Sequence, residues 1–198
     1  RILTSKQIKL PGKVICIGNI NVGGTGKTQL VAWLAKLFTR DNRKFVIITK
    51  GYKSRLKKAI LVNSSHQAID VGDESVLLRK FGPVIAARKI QYAYDILEIL
   101  KPEIIIVDDG MQNPTFYKGF TILTFDNVRG IGNGMLIPAG PLRQYPRSVT
   151  NIDAVVTIGS AKNFQAHGIN YDWNKPKFEA KIVPSIEGLN RTSKYLAF

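Results

Sequence analysis

Short, wholly apolar segments alternate along the chain with segments in which apolar residues recur every three or four positions. The first pattern predicts strands of a parallel sheet buried on both faces, and the second predicts amphipathic helices that cover it. Predicted strands cover residues 14–17, 45–48, 83–87, 104–107, 120–125, 154–158 and 178–183, and predicted helices cover 29–40, 76–80 and 90–100. The sequence therefore predicts an α/β fold, with a mostly parallel sheet and helices on both faces.

The alternation weakens after residue 160, where the chain becomes polar and irregular as far as an Asn-Lys-Pro-Lys run at 174–177. We predict a core domain over residues 1–165. Residues 166–198 are predicted to form a linker and the start of a smaller C-terminal lobe. The longest apolar runs are strand-sized and far shorter than the roughly 20 residues of a membrane-spanning helix.

A glycine-rich segment separates the first predicted strand from the first predicted helix. It ends in Gly23-Gly24-Thr25-Gly26-Lys27-Thr28, and the order strand, loop, helix is typical of a phosphate-binding loop. In such loops the backbone amides surround phosphate oxygens, the lysine (Lys27) reaches the terminal phosphates, and the hydroxyl of Thr28 holds Mg²⁺. Asn21 stands where the pattern has glycine. Because asparagine tolerates the left-handed backbone better than most residues, we still expect a P-loop NTPase-like nucleotide site.

Two acidic segments are candidates for the chemistry of that site. Asp108 and Asp109 follow a buried strand, as a Walker B carboxylate does, although an ordinary solvated turn explains them equally well when taken alone. Asp73 and Glu74 precede a helix-like segment, where carboxylates often serve only as caps. In a phosphoryl transferase, Asp73 is the best candidate for the base that accepts a proton from an alcohol.

Composition narrows the class of partner. Lys and Arg number 29 against 14 Asp and Glu, and the formal charge of +15 favours phosphate-rich partners, anionic membrane surfaces or nucleic acid. The single cysteine, Cys16, lies in the first predicted strand and allows no disulfide within the chain, which fits the cytosol. His66 and His167 lie in no matching motif and are interpreted as ordinary surface or loop residues.

Six segments, in order and spacing, resemble the tetraacyldisaccharide 4'-kinase family of lipid A biosynthesis. They are GNINVGGTGKT, KGYK, VGDES, IIIVDDGMQN, FDNVRGIGNGMLIPAGPLR and NIDAVVTIG. The resemblance extends over residues 11–159. The segment 129–143 is the most specific part, because other phosphate-loop proteins have no general reason to contain it.

The resemblance implies a kinase that transfers the γ-phosphate of ATP to the 4'-hydroxyl of a tetraacyldisaccharide 1-phosphate. It implies Mg²⁺ as a cofactor, a glycolipid acceptor, an anionic membrane surface as partner, no nucleic acid, and a place at the cytoplasmic face of the bacterial inner membrane. Implied catalytic residues are Asp73 and Lys27, and the implied nucleotide ligands are Gly23, Gly24, Thr25, Gly26, Lys27 and Thr28. Implied metal ligands are Thr28, Glu74, Asp108 and Asp109, and candidate substrate ligands are Arg88, Gln112, Arg129, Asn133 and Arg143. Surface charge is the alternative for the three arginines.

The sequence departs from the family pattern at several points. Lys50 begins a KGYK segment where the family has RGYG, Asn113 replaces the histidine of DDGLQH, and Ser75 replaces the proline of GDEP, which we interpret as a small change. Neither the family's histidine-rich C-terminal motif nor its N-terminal membrane-proximal helix is found in these residues. We therefore expect a truncated version of the kinase, and nucleotide binding without transfer is one alternative.

Two further function classes fit the sequence less well. A partitioning-type ATPase carries a lysine just before its paired glycines, and Val22 stands there instead. A nucleic-acid-binding ATPase would suit the charge, but the sequence shows neither a recognisable reading element nor an aromatic stacking platform. An Asn-Lys-x-Asp element for guanine is also missing from the sequence, which favours ATP over GTP.

Overall fold

The computed structural model describes residues 7–159 and 174–183, and within these ranges the strands form a single sheet. The strands are β1 (Lys13–Gly18), β2 (Phe45–Thr49), β3 (Ile60–Leu61), β4 (Val84–Ala86), β5 (Ile104–Asp108), β6 (Phe120–Asp126), β7 (Ala154–Ile158) and β8 (Lys177–Ala180). Their order across the sheet is β3-β4-β2-β5-β1-β6-β7-β8. The pairing is parallel except between β3 and β4, which confirms the predicted fold class.

The helices follow the sequence pattern with shifted ends. They are α1 (Lys27–Arg40), α2 (Ala68–Val71), α3 (Asp73–Leu78) and α4 (Tyr94–Leu100), with 3₁₀ turns at Ile90–Ala93 and Pro146–Ser148. The periodicity predicted one helix over 90–100, but its first turn is a 3₁₀ helix. The predicted helix 76–80 begins three residues earlier, because the acidic pair of VGDES forms the first turn of α3. The helix α2 and the strand β3 were not predicted, because both are too short for a periodic signal.

Alternate residues of the strands β1, β2, β4 and β5 enter two separate hydrophobic clusters. On one face, Ile106 of β5 packs with Val31 and Leu34 of α1. On the other face, Ile105 packs with Cys16 of β1 and Leu97 of α4. Because strand side chains alternate between faces, a strand that is apolar throughout needs a helix layer on each side, and the prediction of two layers is confirmed.

The edge at the carboxyl ends of the strands positions the candidate site. The strand β1 lies between β5 and β6, so the chain leaves β1 at the point where the strand order changes direction. In open α/β sheets, ligands bind in the crevice formed at such a point. The loop after β1, the pair Asp108–Asp109 and the start of α3 all follow strands or turns at this edge.

The C-terminal part of the described chain extends the same sheet. Strand β8 pairs with β7 in parallel, and Val156 lies opposite Phe178. The strand predicted over 178–183 is therefore shorter than expected, and it lies in the core sheet. The division into residues 1–165 and 166–198 stays a prediction, and His167, much of the linker and the last 15 residues lie outside the described residues. Within the described ranges, no helix combines the length and the apolar character needed to span a bilayer.

Candidate active site

The phosphate loop connects β1 to α1 through two glycines in the left-handed region. Gly23 has a φ of 100° and Gly26 a φ of 76°, and a side chain on Gly26 would collide with Ile158 of β7. A buried hydroxyl pair ties the loop to the sheet: Thr25 Oγ1 lies 3.0 Å from Thr124 Oγ1, which also donates to the Gly18 carbonyl at 3.2 Å. This places Lys27 at the first position of α1, as the motif predicts.

Asn21, at the motif's glycine position, makes contacts that the motif does not predict. It does not have a positive φ, so the expectation of a left-handed asparagine was wrong. Instead the residue forms a β-bridge with Leu142, and its side chain donates to the Gly130 carbonyl at 2.8 Å. The glycine-rich segment 129–143 therefore supports the start of the phosphate loop, and Asn21 is an anchor rather than a flexible turn.

Asp109 is surrounded by cations. Its carboxylate lies 3.2 Å from Arg143 Nη1, 3.6 Å from Lys27 Nζ and 3.7 Å from Lys50 Nζ. Burial favours the neutral acid, but these cations outweigh burial and hold the pKa of Asp109 below its ordinary value. Burial lowers the pKa of Lys27, and the charge of Asp109 opposes that shift. In this arrangement the phosphate-loop lysine, Lys27, forms an ion pair with the Asp109 carboxylate.

Asp108 has the opposite environment. Its side chain is buried at 3% exposure, and neither carboxylate oxygen has a hydrogen-bond partner. Burial, reinforced by the charge of Glu74, raises the pKa of Asp108 to about 7. An orphaned carboxylate at the phosphate-loop edge of a sheet needs a cation or a donor from a ligand, because an unpaired buried charge is costly.

The acidic turn at the start of α3 completes the negative side of the site. Asp73 is exposed, and its Oδ1 accepts a hydrogen bond from the Glu74 amide at 2.9 Å. Burial and then the charge of Asp73 raise the pKa of Glu74. Glu74 influences the titration of both Lys27 and Asp108, so the fold brings this turn within electrostatic range of the phosphate loop.

These residues suit a divalent cation that also binds phosphate. Within 7–159 and 174–183, no group of three or more His, Cys, Asp or Glu side chains could hold a metal ion. The free oxygens of Asp108 nevertheless fit a hard cation such as Mg²⁺, which commonly takes one or two carboxylates and completes its shell with phosphate oxygens and water. Glu74, in the first turn of α3, acts electrostatically on this carboxylate, and Thr28 is the second residue of α1; their predicted role as metal ligands stays a prediction.

Arg143 uses its whole guanidinium group on protein acceptors. Nε donates to the Asn21 carbonyl at 2.8 Å, Nη2 donates to Asn19 Oδ1, and both Nη atoms reach the Asp109 carboxylate. The side chain is 28% exposed. The role predicted for it, binding substrate, stays untested, but its observed contacts join the phosphate loop to the Walker B segment.

The other predicted substrate ligands have different surroundings. Gln112 donates to the Asn19 carbonyl at 2.6 Å, and Arg129 extends its guanidinium to the side of Gly23. Arg88 donates to the Ser54 carbonyl at 2.6 Å. Asn133 bonds only within its own loop among the hydrogen bonds described, donating to Ala139 and accepting from Met135. Gln112 and Arg129 thus adjoin the phosphate loop.

A cavity of about 360 Å³ opens between the phosphate loop and the segment 129–143, lined in part by Gly24, Asp126 and Arg129. Three site residues were missing from the predicted set: Asn19, Asn21 and Lys50. Lys50 could have been found, because it occupies the first position of the KGYK segment that follows β2. Asn21 was noted only as a departure from the glycine pattern and Asn19 gave no signal, because the roles of both depend on contacts with residues more than 100 positions away.

Sequence similarity to known proteins indicates the family of this chain. The sequence profile of the family "Tetraacyldisaccharide-1-P 4'-kinase" matches residues 1–196. The chain belongs to this family. Tetraacyldisaccharide 4'-kinases from Rickettsia canadensis and Rickettsia conorii are 48% and 47% identical to it over 98% of this chain. The chain spans about three fifths of the length of these curated relatives, 59% and 60% respectively.

Solved structures give the same assignment of fold. The family member LpxK from Aquifex aeolicus, in complex with ATP, superposes with a TM-score of 0.74 at 31% identity, over 88% of this chain and 56% of that one. The signal recognition particle 54 kDa protein from Aeropyrum pernix K1, in complex with GDP, reaches a TM-score of 0.52 at 12% identity, over 86% of this chain and 42% of that one. The second likeness shows the fold alone.

Proposed function

We propose that this chain provides the ATP-binding and phosphoryl-transfer centre of a tetraacyldisaccharide 4'-kinase. The observation that carries the proposal is the pairing of Lys27 with Asp109 beside the orphaned carboxylate of Asp108, at the end of a phosphate loop in a chain of this family. The Aquifex aeolicus relative was solved with ATP, which supports ATP as the donor.

In the proposed reaction, the loop amides and Lys27 bind the β- and γ-phosphates. Thr28, Asp108 and Glu74 would hold Mg²⁺, which when bound would neutralise charge on the phosphate oxygens. Asp73 accepts the proton of the 4'-hydroxyl as that oxygen bonds to the γ-phosphorus and the bond to ADP breaks. Arg129, beside Gly23, is a candidate partner for the anionic groups of donor or acceptor.

We infer that the acceptor is a tetraacyldisaccharide 1-phosphate presented at an anionic membrane surface on the cytoplasmic side. The charge of +15 supports an anionic surface, and the exposed basic residues Arg55, Lys57 and Lys58 lie close together on one loop. Nucleic acid is not expected as a partner.

The deciding experiment measures transfer of labelled phosphate from ATP to a tetraacyldisaccharide 1-phosphate in mixed micelles. We expect transfer by the unsubstituted chain and its loss in Lys27→Ala and Asp73→Asn, while Lys36→Ala, on the exposed side of α1, keeps it. Nucleotide binding without transfer would contradict the proposed activity for this chain. Transfer stimulated only by RNA or DNA would replace it with the nucleic-acid class.

A further inference from the structure

A buried pair of hydroxyl groups lies directly behind the acidic turn. Thr49, the last residue of β2, is 2% exposed, and Ser75 in the first turn of α3 is fully buried. Their oxygens are 2.5 Å apart, and Ser75 Oγ also donates to the Val71 carbonyl at 2.7 Å. Because a serine hydroxyl has a single proton, Thr49 is the donor within the pair.

These hydrogen bonds close the backbone turn that carries Asp73, the candidate base. The bond from Ser75 to Val71 spans Gly72, Asp73 and Glu74, so both ends of the acidic turn are tied together. The bond from Thr49 then ties the turn to β2. Strand β2 pairs with β5, with Ile48 opposite Val107, and Val107 directly precedes Asp108.

Two glycines bring the same turn against the loop that carries Lys50. Gly72 has a φ of 88°, and a side chain there would come within 3.0 Å of the Gly51 backbone. Gly51, with a φ of 58°, would in turn come within 3.0 Å of the Val71 carbonyl oxygen. The backbones of the two loops are therefore in contact, and a displacement of the acidic turn would also displace Lys50 and its ion pair with Asp109.

We propose that Thr49 and Ser75 are positioning residues for phosphoryl transfer: their hydrogen-bonded pair sets the distance of Asp73 and Glu74 from the phosphate loop. Neither hydroxyl is exposed to substrate, so both act through the turn. This inference rests on the proposed function. It also gives a role to Ser75 that a proline at the same position cannot have, because proline has no hydroxyl group. The substitution interpreted from the sequence as a small change thus alters how the turn is held.

The test is a double-mutant cycle on the phosphate-transfer reaction with Thr49→Val, Ser75→Ala and the double variant. We expect each single variant to lower kcat by roughly tenfold to a hundredfold with little change in the KM for ATP, because misplacement of a base by less than 1 Å acts on the chemical step. The kcat of the double variant should be no lower than that of the more impaired single variant, because the two residues act as one unit. Thr49→Ser keeps the hydroxyl and should restore most of the activity.

The matched control is Thr121→Val, which removes a hydroxyl from another threonine that is 2% exposed, on β6. We expect it to leave kcat within about twofold. Equal losses of kcat in Thr121→Val and Thr49→Val, or independent effects in the cycle, would overturn the inference.

A second readout separates this inference from the proposed function. Amide hydrogen exchange of residues 72–76 should be at least about tenfold faster in Ser75→Ala than in the unsubstituted chain, since the turn loses its closing bond. If the unsubstituted chain transfers no phosphate, the proposed function fails. In that case the exchange rates still test the pair: exchange that is equal in Ser75→Ala and the unsubstituted chain would show that the pair does not hold the turn. Faster exchange with an unchanged kcat would overturn the positioning role alone.

Discussion

The phosphate-loop side of the site and the acidic-turn side are held by different interactions. The loop is fixed from many directions: backbone bonds join Val22 to Pro141 and Arg143 to Ile20, and the Arg143 side chain binds Asn19, Asn21 and Asp109. The turn that carries Asp73 is held by the local backbone bonds of α2 and α3, by one buried hydroxyl pair and by a contact between two glycines. The phosphate-loop side is therefore joined to distant segments of the chain by many polar contacts, whereas the side that would receive the acceptor's proton is held by contacts with nearby segments.

The largest expected effect distinguishes the phosphate loop from the acidic turn by comparing nucleotide binding with phosphate transfer. Lys27→Met should weaken nucleotide binding by about tenfold or more and abolish transfer, because it removes the charge proposed to bind the terminal phosphates. Asp73→Asn should leave nucleotide affinity unchanged and lower the transfer rate by roughly 10²- to 10⁴-fold. Fluorescent-nucleotide titration and a transfer assay measure the two quantities. Weakened nucleotide binding in Asp73→Asn would contradict the prediction that the acidic turn acts in transfer and not in nucleotide binding.

The next effect tests whether Arg143 stabilises the phosphate loop through its hydrogen bonds. Both Arg143→Ala and Arg143→Lys should weaken nucleotide binding by about tenfold, because a lysine cannot donate to three acceptors in the geometry of a guanidinium fork. Isothermal titration with ATP measures the change, with Arg147→Ala as control, since Arg147 is exposed and packs over Tyr145. An increase confined to the KM of the acceptor would identify Arg143 as a substrate ligand instead.

A smaller effect concerns Asp108 and the stability of the metal-free chain. The pKa of this buried acid is raised to about 7 in the folded chain from the ordinary 3.8, so the folded form binds the proton more tightly than the unfolded form does. Stability should therefore fall between about pH 4 and pH 7 as Asp108 ionises, by at most about 4 kcal/mol. In chelator-treated protein, Asp108→Asn should flatten this part of the profile of urea unfolding against pH. A slope that is equal in both proteins would show that Asp108 is not the group responsible.

The smallest effect tests the anchor at the start of the loop. Asn21→Gly restores the residue expected by the phosphate-loop pattern, yet it should destabilise the chain by about 1 kcal/mol, because it removes the bond to the Gly130 carbonyl. Asn42→Gly is the control: Asn42 is exposed with a φ of 52°, where glycine is tolerated. Thermal unfolding measures both. A more stable Asn21→Gly variant would show that the positive-φ requirement of the motif outweighs the anchor.

The sequence predicted the sheet and the chemistry at the phosphate loop because both depend on local patterns. Apolar runs such as 104–107 encode buried strands, and the order of Gly26, Lys27 and Thr28 encodes the loop. The surroundings of the two aspartates could not be predicted in the same way. Adjacent in the chain, Asp108 and Asp109 have opposite pKa shifts because Asp109, with a φ of 52°, turns its side chain toward three cations brought together by the fold. Segment 129–143 was recognised as specific, but its support of the phosphate loop appears only when the strands are assembled.

The burial of Cys16 has a practical consequence for these measurements. Its thiol is the only one in the sequence, it is fully buried on β1, and burial raises its pKa to about 12. Because alkylating reagents react with exposed thiolates, the chain should behave toward them as though it had no cysteine. A single cysteine introduced at the exposed Val128, beside the phosphate loop, can therefore carry a fluorophore without prior removal of the natural thiol. Such a labelled chain would report nucleotide arrival in real time.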